Sequence, residues 1–259
     1  MSQNNFVKSS VNTVMGVKDP SRDTTVQTDL ANPRWDKAAT LTYLGATLIQ
    51  VAAMTGLLWA MDVALGYFDT AALPQGTMGA IREAIRPGIA CVFFAVVTLR
   101  SRFFSLLDNT RNGGRYQSLQ RPSWAPPPLA FPIVWMSIAV LRVVSAYLVW
   151  SALGQTFLSW PLVLYVVHLS LGDTWNTIFT VEGRLGAAVP MVIVGPLLSV
   201  VVVTVAYFRV VPLAGWVILP SLVWLAIATA LCISLWRLNG QEPLYPVVSA
   251  VEATNDNIL

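Results

Sequence analysis

Long apolar runs separated by short polar segments dominate the chain. Six of these runs reach the length of about 20 residues that a helix needs to cross a bilayer. They cover residues 41–66, 88–107, 129–152, 158–180, 186–208 and 214–237. The last four are joined by short connections, which are typical of antiparallel neighbouring helices. The pattern therefore predicts an all-α integral membrane protein with several spans.

The composition agrees with this class. Hydrophobic residues make up 55% of the chain and charged residues 11%, and the mean hydropathy is +0.62. A soluble domain has about 25% charged residues. The net charge of +3 is small and no basic run is present, so nucleic-acid binding is not indicated. The lipid bilayer is the partner that the composition predicts.

The placement of Lys and Arg distinguishes between five and six spans. With six spans, 12 of these residues lie on one side and 3 on the other, and Arg142 is left inside a span. If residues 88–107 did not cross, the division would be 9 against 6. The positive-inside bias favours six spans with both termini on the positive side.

The polar segments suggest how the chain is divided. We predict disordered tails at residues 1–39 and 240–259, a first transmembrane helix at 40–67, and a membrane bundle at 88–239. Residues 67–83 are expected to form a linker. Pro87 is suited to the first turn of the helix that follows, where its missing N–H is not needed.

One polar loop before the third run is rich in proline. Pro122, Pro126, Pro127 and Pro128 each restrict the backbone and disfavour helix in the preceding residue. The spacing predicts an extended, semi-rigid lid that holds Trp124 at its centre. A stiff aromatic segment joined directly to a membrane helix indicates a capped cavity.

The same loop resembles the TspO/MBR family of tryptophan-rich sensory and translocator proteins. The residues that match the family pattern are Tyr116, Leu119, Arg121, Pro122, Trp124, Pro126, Pro127, Phe131, Val134 and Trp135. Later helices match at Trp175, Phe179, Pro220, Trp224, Leu231, Trp236, Arg237, Leu238 and Asn239. The resemblance implies a five-helix bundle over residues 88–239, with residues 40–67 as an extra N-terminal transmembrane helix.

The resemblance also implies a central pocket under the lid. In the family this pocket binds porphyrins and, in animal members, cholesterol and synthetic drugs. The residues placed there by resemblance or helical spacing are Tyr116, Trp124, Pro126, Pro127, Trp135, Ala139, Gly172, Trp175, Phe179, Trp224 and Ala228. Ordinary helix packing is the alternative role for each aromatic residue.

Several positions depart from the family pattern. His168 stands where the family usually has Gln, and Gly172 stands where it usually has Asn. The segment before Arg237 lacks the Tyr of the animal sterol motif, which argues against sterol binding. Parts of the chain resemble a branch from photosynthetic organisms, which implies a plastid or bacterial membrane, with a mitochondrial or ER membrane as the alternative.

Three ionisable residues lie at membrane depth, where such groups usually face an interior or a partner. In one interpretation, Arg142 and Asp173 form an ion pair with His168 beside it. In the other, Arg142 binds a ligand carboxylate and His168 ligates the metal of a haem or chlorophyll. Both interpretations place all three residues at the candidate site.

Three functions follow from these features. The first is a non-enzymatic binder or transporter of tetrapyrroles or similar apolar ligands. The second is a structural or accessory subunit of a larger membrane complex, photosynthetic or of another kind, that binds pigment or lipid. A second copy of the chain and such a complex are the alternative protein partners. The third is a porphyrin-degrading enzyme, which no nucleophile–base pair in the sequence supports. No cofactor is implied with certainty; porphyrin, haem and chlorophyll are the candidates.

Overall fold

The structure, a computed structural model, describes residues 30, 32–70, 77–106 and 119–248, and six helical segments run through this part of the chain. They are α1 (Lys37–Thr70), α2 (Thr77–Leu106), α3 (Ala130–Ala152), α4 (Trp160–Asn176, continued by a π-helical turn at Thr177–Val181), α5 (Leu185–Val210, with a π-helical turn at Ile193–Leu197) and α6 (Pro212–Leu238). Each predicted apolar run coincides with one of them. The all-α class is confirmed.

Four helices are long and apolar enough to cross a bilayer within the described residues, namely α1, α3, α5 and α6. The other two pack against them, α2 against α3, and α4 against α1 and α5. The α-helical part of α4 has 17 residues. The protein is an integral multi-pass membrane protein, and the number of six crossings stays a prediction.

The start of α2 differs from the sequence-based expectation. The helix begins at Thr77, and Pro87 lies inside it instead of in its first turn. A proline in a helix interior removes the hydrogen bond that its N–H would donate to the carbonyl four residues back, here that of Glu83, and its ring crowds that carbonyl. Ala80, Glu83 and Ala84 favour helix and extend it N-terminally. The predicted linker over 67–83 is therefore mostly helical where it is described.

A buried aromatic group closes the end of the bundle where α3 meets α4. The ring of Phe157 lies 5.0 Å from Phe93, 5.5 Å from Phe94 and 5.4 Å from Trp150, between centroids. The carboxylate of Asp62 accepts hydrogen bonds from the backbone N–H groups of residues 157 and 158, each at 2.7 Å. Asp62, the one charge within the first apolar run, thus anchors α1 to the α3–α4 loop.

The opposite end, which carries the proline-rich loop, is called the lid-side end here. The guanidinium of Arg184 donates to Asp36 at 2.9 Å and to the Val247 carbonyl at 2.9 Å, and it pairs with Glu182 at 3.0 Å. Tyr43 of α1 donates to Glu182. Burial raises the pKa of the Glu182 carboxyl, against the opposing effects of Tyr43 and Arg184. This cluster fastens α1 and the segment after α6 to the α4–α5 loop.

The C-terminal tail predicted from residue 240 is wrong in its first part. Residues 240–248 pack onto the bundle, with Glu242 and Val247 buried. Glu242 accepts a bond from the N–H of Gly186, and Val247 forms an isolated antiparallel bridge with Trp35. The segment is polar in sequence, but its backbone groups form hydrogen bonds with the bundle. It therefore does not depend on water for hydrogen-bond partners. Residues 249–259 and 1–29 lie outside the described residues.

The interhelical ion pair at membrane depth differs from the predicted one. Asp173 of α4 pairs with Arg100 of α2 at 2.6 Å, and the predicted pair between Asp173 and Arg142 does not form. Arg100 also approaches Gln50 of α1 at 3.4 Å. The position of Arg100 in the last third of the second apolar run predicts a side chain that extends toward the headgroups. It turns inward because a carboxylate of comparable depth lies on the facing helix.

We predict that both termini lie on the same side of the membrane. The bridge between Trp35 and Val247 joins the described ends of the chain at the lid-side end, in agreement with the loop charges. Single-cysteine variants at Ser10 and Thr254, made in a background without Cys91 and Cys232, should label from the same side of sealed vesicles. Labelling from opposite sides would contradict the arrangement.

We also predict that Arg100 and Asp173 stabilise the fold as a unit. Asp173→Leu alone leaves the largely buried guanidinium of Arg100 without its carboxylate and should cost up to about 3–5 kcal/mol, with a smaller loss when the change is at Arg100. The double variant should recover much of this loss, as measured by thermal unfolding in detergent.

Two controls make this test specific. Arg209→Leu removes an exposed guanidinium from α5 and should change the unfolding temperature little. Asp173→Leu should not rescue Arg142→Leu, because these two residues do not pair in the structure. If the double variant at 100 and 173 is no more stable than the single variants, the two residues do not stabilise the fold as a unit.

Candidate functional site

Four aromatic side chains from three helices meet near the lid-side end. Trp135 of α3 packs in one buried cluster with Trp175 and Phe179 of α4. The rings of Trp175 and Phe179 stack at 5.4 Å, and Trp224 of α6 contacts Trp135 edge-on at 6.3 Å. We call Trp135, Trp175, Phe179 and Trp224 the aromatic cluster. The structure thus brings together four of the predicted pocket aromatics.

Small residues lie one helical turn below the aromatic cluster, away from the lid-side end. Ala139 follows Trp135 by four residues on α3, and Gly172 precedes Trp175 by three residues on α4. A Cβ atom on Gly172 would meet no neighbouring atom within 4 Å, so space remains beside it. Ala139 and Ala228 are both buried. Of these three residues, Gly172 is the one with open space beside it.

A hydrogen-bonded polar pair lies one turn deeper still. Nη2 of Arg142 is 2.8 Å from Nε2 of His168, and both side chains are buried. Arginine can only donate, so Nε2 must be the acceptor and the proton of the neutral imidazole must lie on Nδ1. Nδ1 is 2.8 Å from Oγ of Ser199, which donates in turn to the Pro196 carbonyl at 3.2 Å. A directed chain of three hydrogen bonds therefore runs from α3 through α4 to α5.

Arg142 has no carboxylate within salt-bridge distance among the residues that the structure describes, since Asp173 is paired with Arg100. Its Nε atom is buried and makes no hydrogen bond there. The hydroxyl of Tyr207, on α5, is likewise buried without a partner. A buried charge without a counter-ion is costly. The region around Arg142 is therefore suited to an anionic or strongly accepting group.

The lid differs in detail from the predicted extended segment. It contains a turn in which the N–H of Ala125 donates to the Pro122 carbonyl at 3.0 Å. Gln120 and Asn239 exchange two hydrogen bonds of 2.9 Å, which hold the loop to the end of α6. Trp124 is 49% exposed and lies outside the aromatic cluster. The role of Trp124, Pro126 and Pro127 in ligand contact stays a prediction, and Tyr116 lies outside the described residues.

Sequence reasoning missed several residues of this region. Ser199 and Tyr207 are polar residues of α5 spaced by eight, so they share one helix face. This spacing within a valine-rich run was the available signal. For Arg100 the sequence predicts only a headgroup contact. The hydroxyl of Tyr165 is hydrogen-bonded to that of Thr98, and Tyr165 lies near Arg142. It gave no distinctive signal among the apolar residues of α4.

Comparison with known proteins agrees with this architecture. A profile of the TspO/MBR family matches residues 90–237, which run from α2 to the end of α6 and leave α1 outside. Protein CrtK of Rhodobacter capsulatus is 34% identical over 134 residues, which are 51% of this chain and 83% of that protein.

Two further relatives have similar coverage. The human translocator protein is 36% identical over 127 residues, which are 48% of this chain and 74% of that protein. The tryptophan-rich sensory protein of Cereibacter sphaeroides is 30% identical over 128 residues, which are 49% and 78% of the two chains. Because the family profile covers more than half of the chain, this protein belongs to the TspO/MBR family.

Proposed function

We propose that this protein binds a carboxylate-bearing apolar ligand of the tetrapyrrole class between the aromatic cluster and Arg142, and passes it on within the membrane. Membership of the TspO/MBR family supports a membrane ligand-binding or transport role. The finer assignment rests on the chemistry of the site. Aromatic faces suit a flat conjugated ring, and a guanidinium suits a carboxylate.

The observation that carries the proposal is the register of α3 against α4. Arg142 and His168 are hydrogen-bonded, and Trp135 and Trp175 each lie seven residues away in the lid-side direction. Seven residues of helix rise about 10 Å. An apolar body about 10 Å long would then contact the indoles at one end and reach the guanidinium at the other. Gly172, which lies between these levels, has open space beside it.

A metal in the ligand is not required by this site. Both ring nitrogens of His168 have side-chain partners, Arg142 on Nε2 and Ser199 on Nδ1. Axial ligation would displace Arg142 from Nε2, so this conformation does not fit the predicted metal ligand. We therefore propose a metal-free tetrapyrrole and assign His168 the role of orienting Arg142.

The proposed role is non-enzymatic. A histidine that activates a serine must accept the hydroxyl proton. Here His168 donates from Nδ1 to Ser199, and its other nitrogen is occupied by Arg142. The pair is therefore in the wrong protonation geometry for nucleophilic catalysis.

The accessory-subunit hypothesis rests on α1, which the family profile does not cover. Its outward face is apolar and exposed at Leu41, Leu44, Leu48, Ile49 and Trp59. Such a face fits a neighbouring membrane protein, and bilayer lipid covers it equally well. Purification from native membranes in mild detergent separates the two functions, because an accessory subunit should remain attached to its complex.

We predict that Arg142 contributes to affinity only when the ligand has a free carboxylate. Arg142→Met should weaken binding of protoporphyrin IX by about 10- to 100-fold, the range expected for a lost hydrogen bond to a charged group. Binding of its dimethyl ester should change little. Quenching of tryptophan fluorescence in detergent gives both affinities.

The control for this experiment is Arg209→Met, which removes an exposed arginine of α5 and should leave both affinities unchanged. Equal losses for the acid and the ester in Arg142→Met would mean that the guanidinium only maintains the fold. No binding of either compound to the unchanged protein would contradict the proposed ligand class.

For the lid, we predict that Trp124→Ala weakens binding without destabilising the bundle. The side chain is half-exposed and outside the helix core, so the fold loses little. Loss of an aromatic contact to the ligand should cost on the order of 1–3 kcal/mol. Trp59→Ala, which removes an exposed indole from α1, is the matched control. An unchanged porphyrin affinity in Trp124→Ala would show that this indole is only an interface anchor.

A further inference from the structure

An open apolar groove runs along the outer surface between α3 and α6. It has a volume of about 370 Å³ and is lined by Val134 of α3 and, among others, by Trp216, Pro220, Val223, Trp224 and Ile227 of α6. This volume lies in the usual range for a small-molecule site. The lining residues run from Trp216, in the second turn of α6, to Ile227 near its middle, so the groove follows the N-terminal half of this membrane-spanning helix and opens toward the bilayer.

The groove and the aromatic cluster share one wall. Trp224 lines the groove, and the same ring contacts Trp135 at 6.3 Å and Phe131 at 5.8 Å, both edge-on. Trp224 belongs to the aromatic cluster and also lines the groove, so its indole is a wall common to the groove and the candidate site.

Two polar groups at the groove favour a ligand that can form hydrogen bonds over a hydrocarbon chain. The Nε1–H of Trp224 is buried and has no hydrogen-bond partner within the described part of the chain. Pro220 has no N–H to donate to the carbonyl of Trp216, four residues earlier in α6. A lipid acyl chain satisfies neither group. A flat apolar molecule with ring-nitrogen or carboxyl donors and acceptors satisfies both, and such a molecule dissolves in the bilayer.

We propose that the ligand enters the site laterally from the bilayer, through the groove between α3 and α6, with Trp224 as the gate. This inference rests on the proposed function, because it concerns the route of the same ligand. The lid-side route is less open, since Gln120 and Asn239 hold the lid to α6 through two hydrogen bonds.

The test measures binding kinetics in phosphatidylcholine vesicles. The full-length protein is reconstituted, and protoporphyrin IX is delivered by stopped-flow mixing with vesicles that contain it. Val223→Phe narrows the groove without adding an indole, so the association and dissociation rate constants should both fall by about tenfold while the affinity stays nearly constant. A change in route alters both rates, whereas a change in contacts alters the affinity.

Two variants serve as controls. Val205→Phe enlarges an exposed valine of α5 outside the groove and should leave both rates unchanged. Asn239→Ala releases the lid and should leave the association rate constant unchanged, because the lid is not on the proposed route. Lateral access is supported if association and dissociation of protoporphyrin IX are slower in Val223→Phe and association is unchanged in both control variants.

Other outcomes overturn the inference. Val223→Phe behaving like Val205→Phe would exclude the groove as a route, and faster association in Asn239→Ala would assign the route to the lid. Loss of a dimer in Val223→Phe with unchanged kinetics would identify the groove as a contact between two copies of the chain. In each of these cases the unchanged protein still binds, so the proposed function stands; absence of binding overturns both.

Discussion

The hydrogen bond between Arg142 and His168 fixes the register of α3 against α4, and the candidate site depends on that register. Because the two helices run antiparallel, equal steps from this bond bring Trp135 and Trp175 to the same level. The bond also fixes the imidazole tautomer, which extends the polar chain to Ser199 on α5. Removing either partner leaves a buried donor or acceptor unsatisfied, which costs more than the bond itself contributes.

The pairing of the buried charged side chains leaves Arg142 without a counter-ion. Asp173 lies at similar depth but is neutralised by Arg100 of α2, so the guanidinium of Arg142 keeps only a neutral partner. A fully paired arginine would stabilise the bundle and would have little attraction for a ligand. The distribution of three charges among α2, α3 and α4 therefore separates a structural ion pair from a site for an anionic group.

The helix that the family profile does not cover is an integrated part of the bundle. Tyr43, Thr47 and Gln50 are spaced by four and three, so they form one face of α1. Tyr43 bonds Glu182, Thr47 meets Thr174, and Gln50 approaches Arg100. Beyond them the same face becomes apolar and packs in the core. The lid-side half of α1 is thus held by polar contacts and its other half by burial.

The apolar runs alone determined the all-α class, the six helices and their approximate ends apart from the start of α2, because length and composition decide which segments leave water. The proline and tryptophan pattern determined the family and indicated the aromatic residues that meet. Helical spacing correctly grouped Trp135 with Arg142 and His168 with Trp175 on shared faces. It did not determine that Asp173 pairs with Arg100, because periodicity gives the face of a residue but not the register or rotation of one helix against another. Only the tertiary packing of the helices brings Asp173 within bonding distance of Arg100 and not of Arg142.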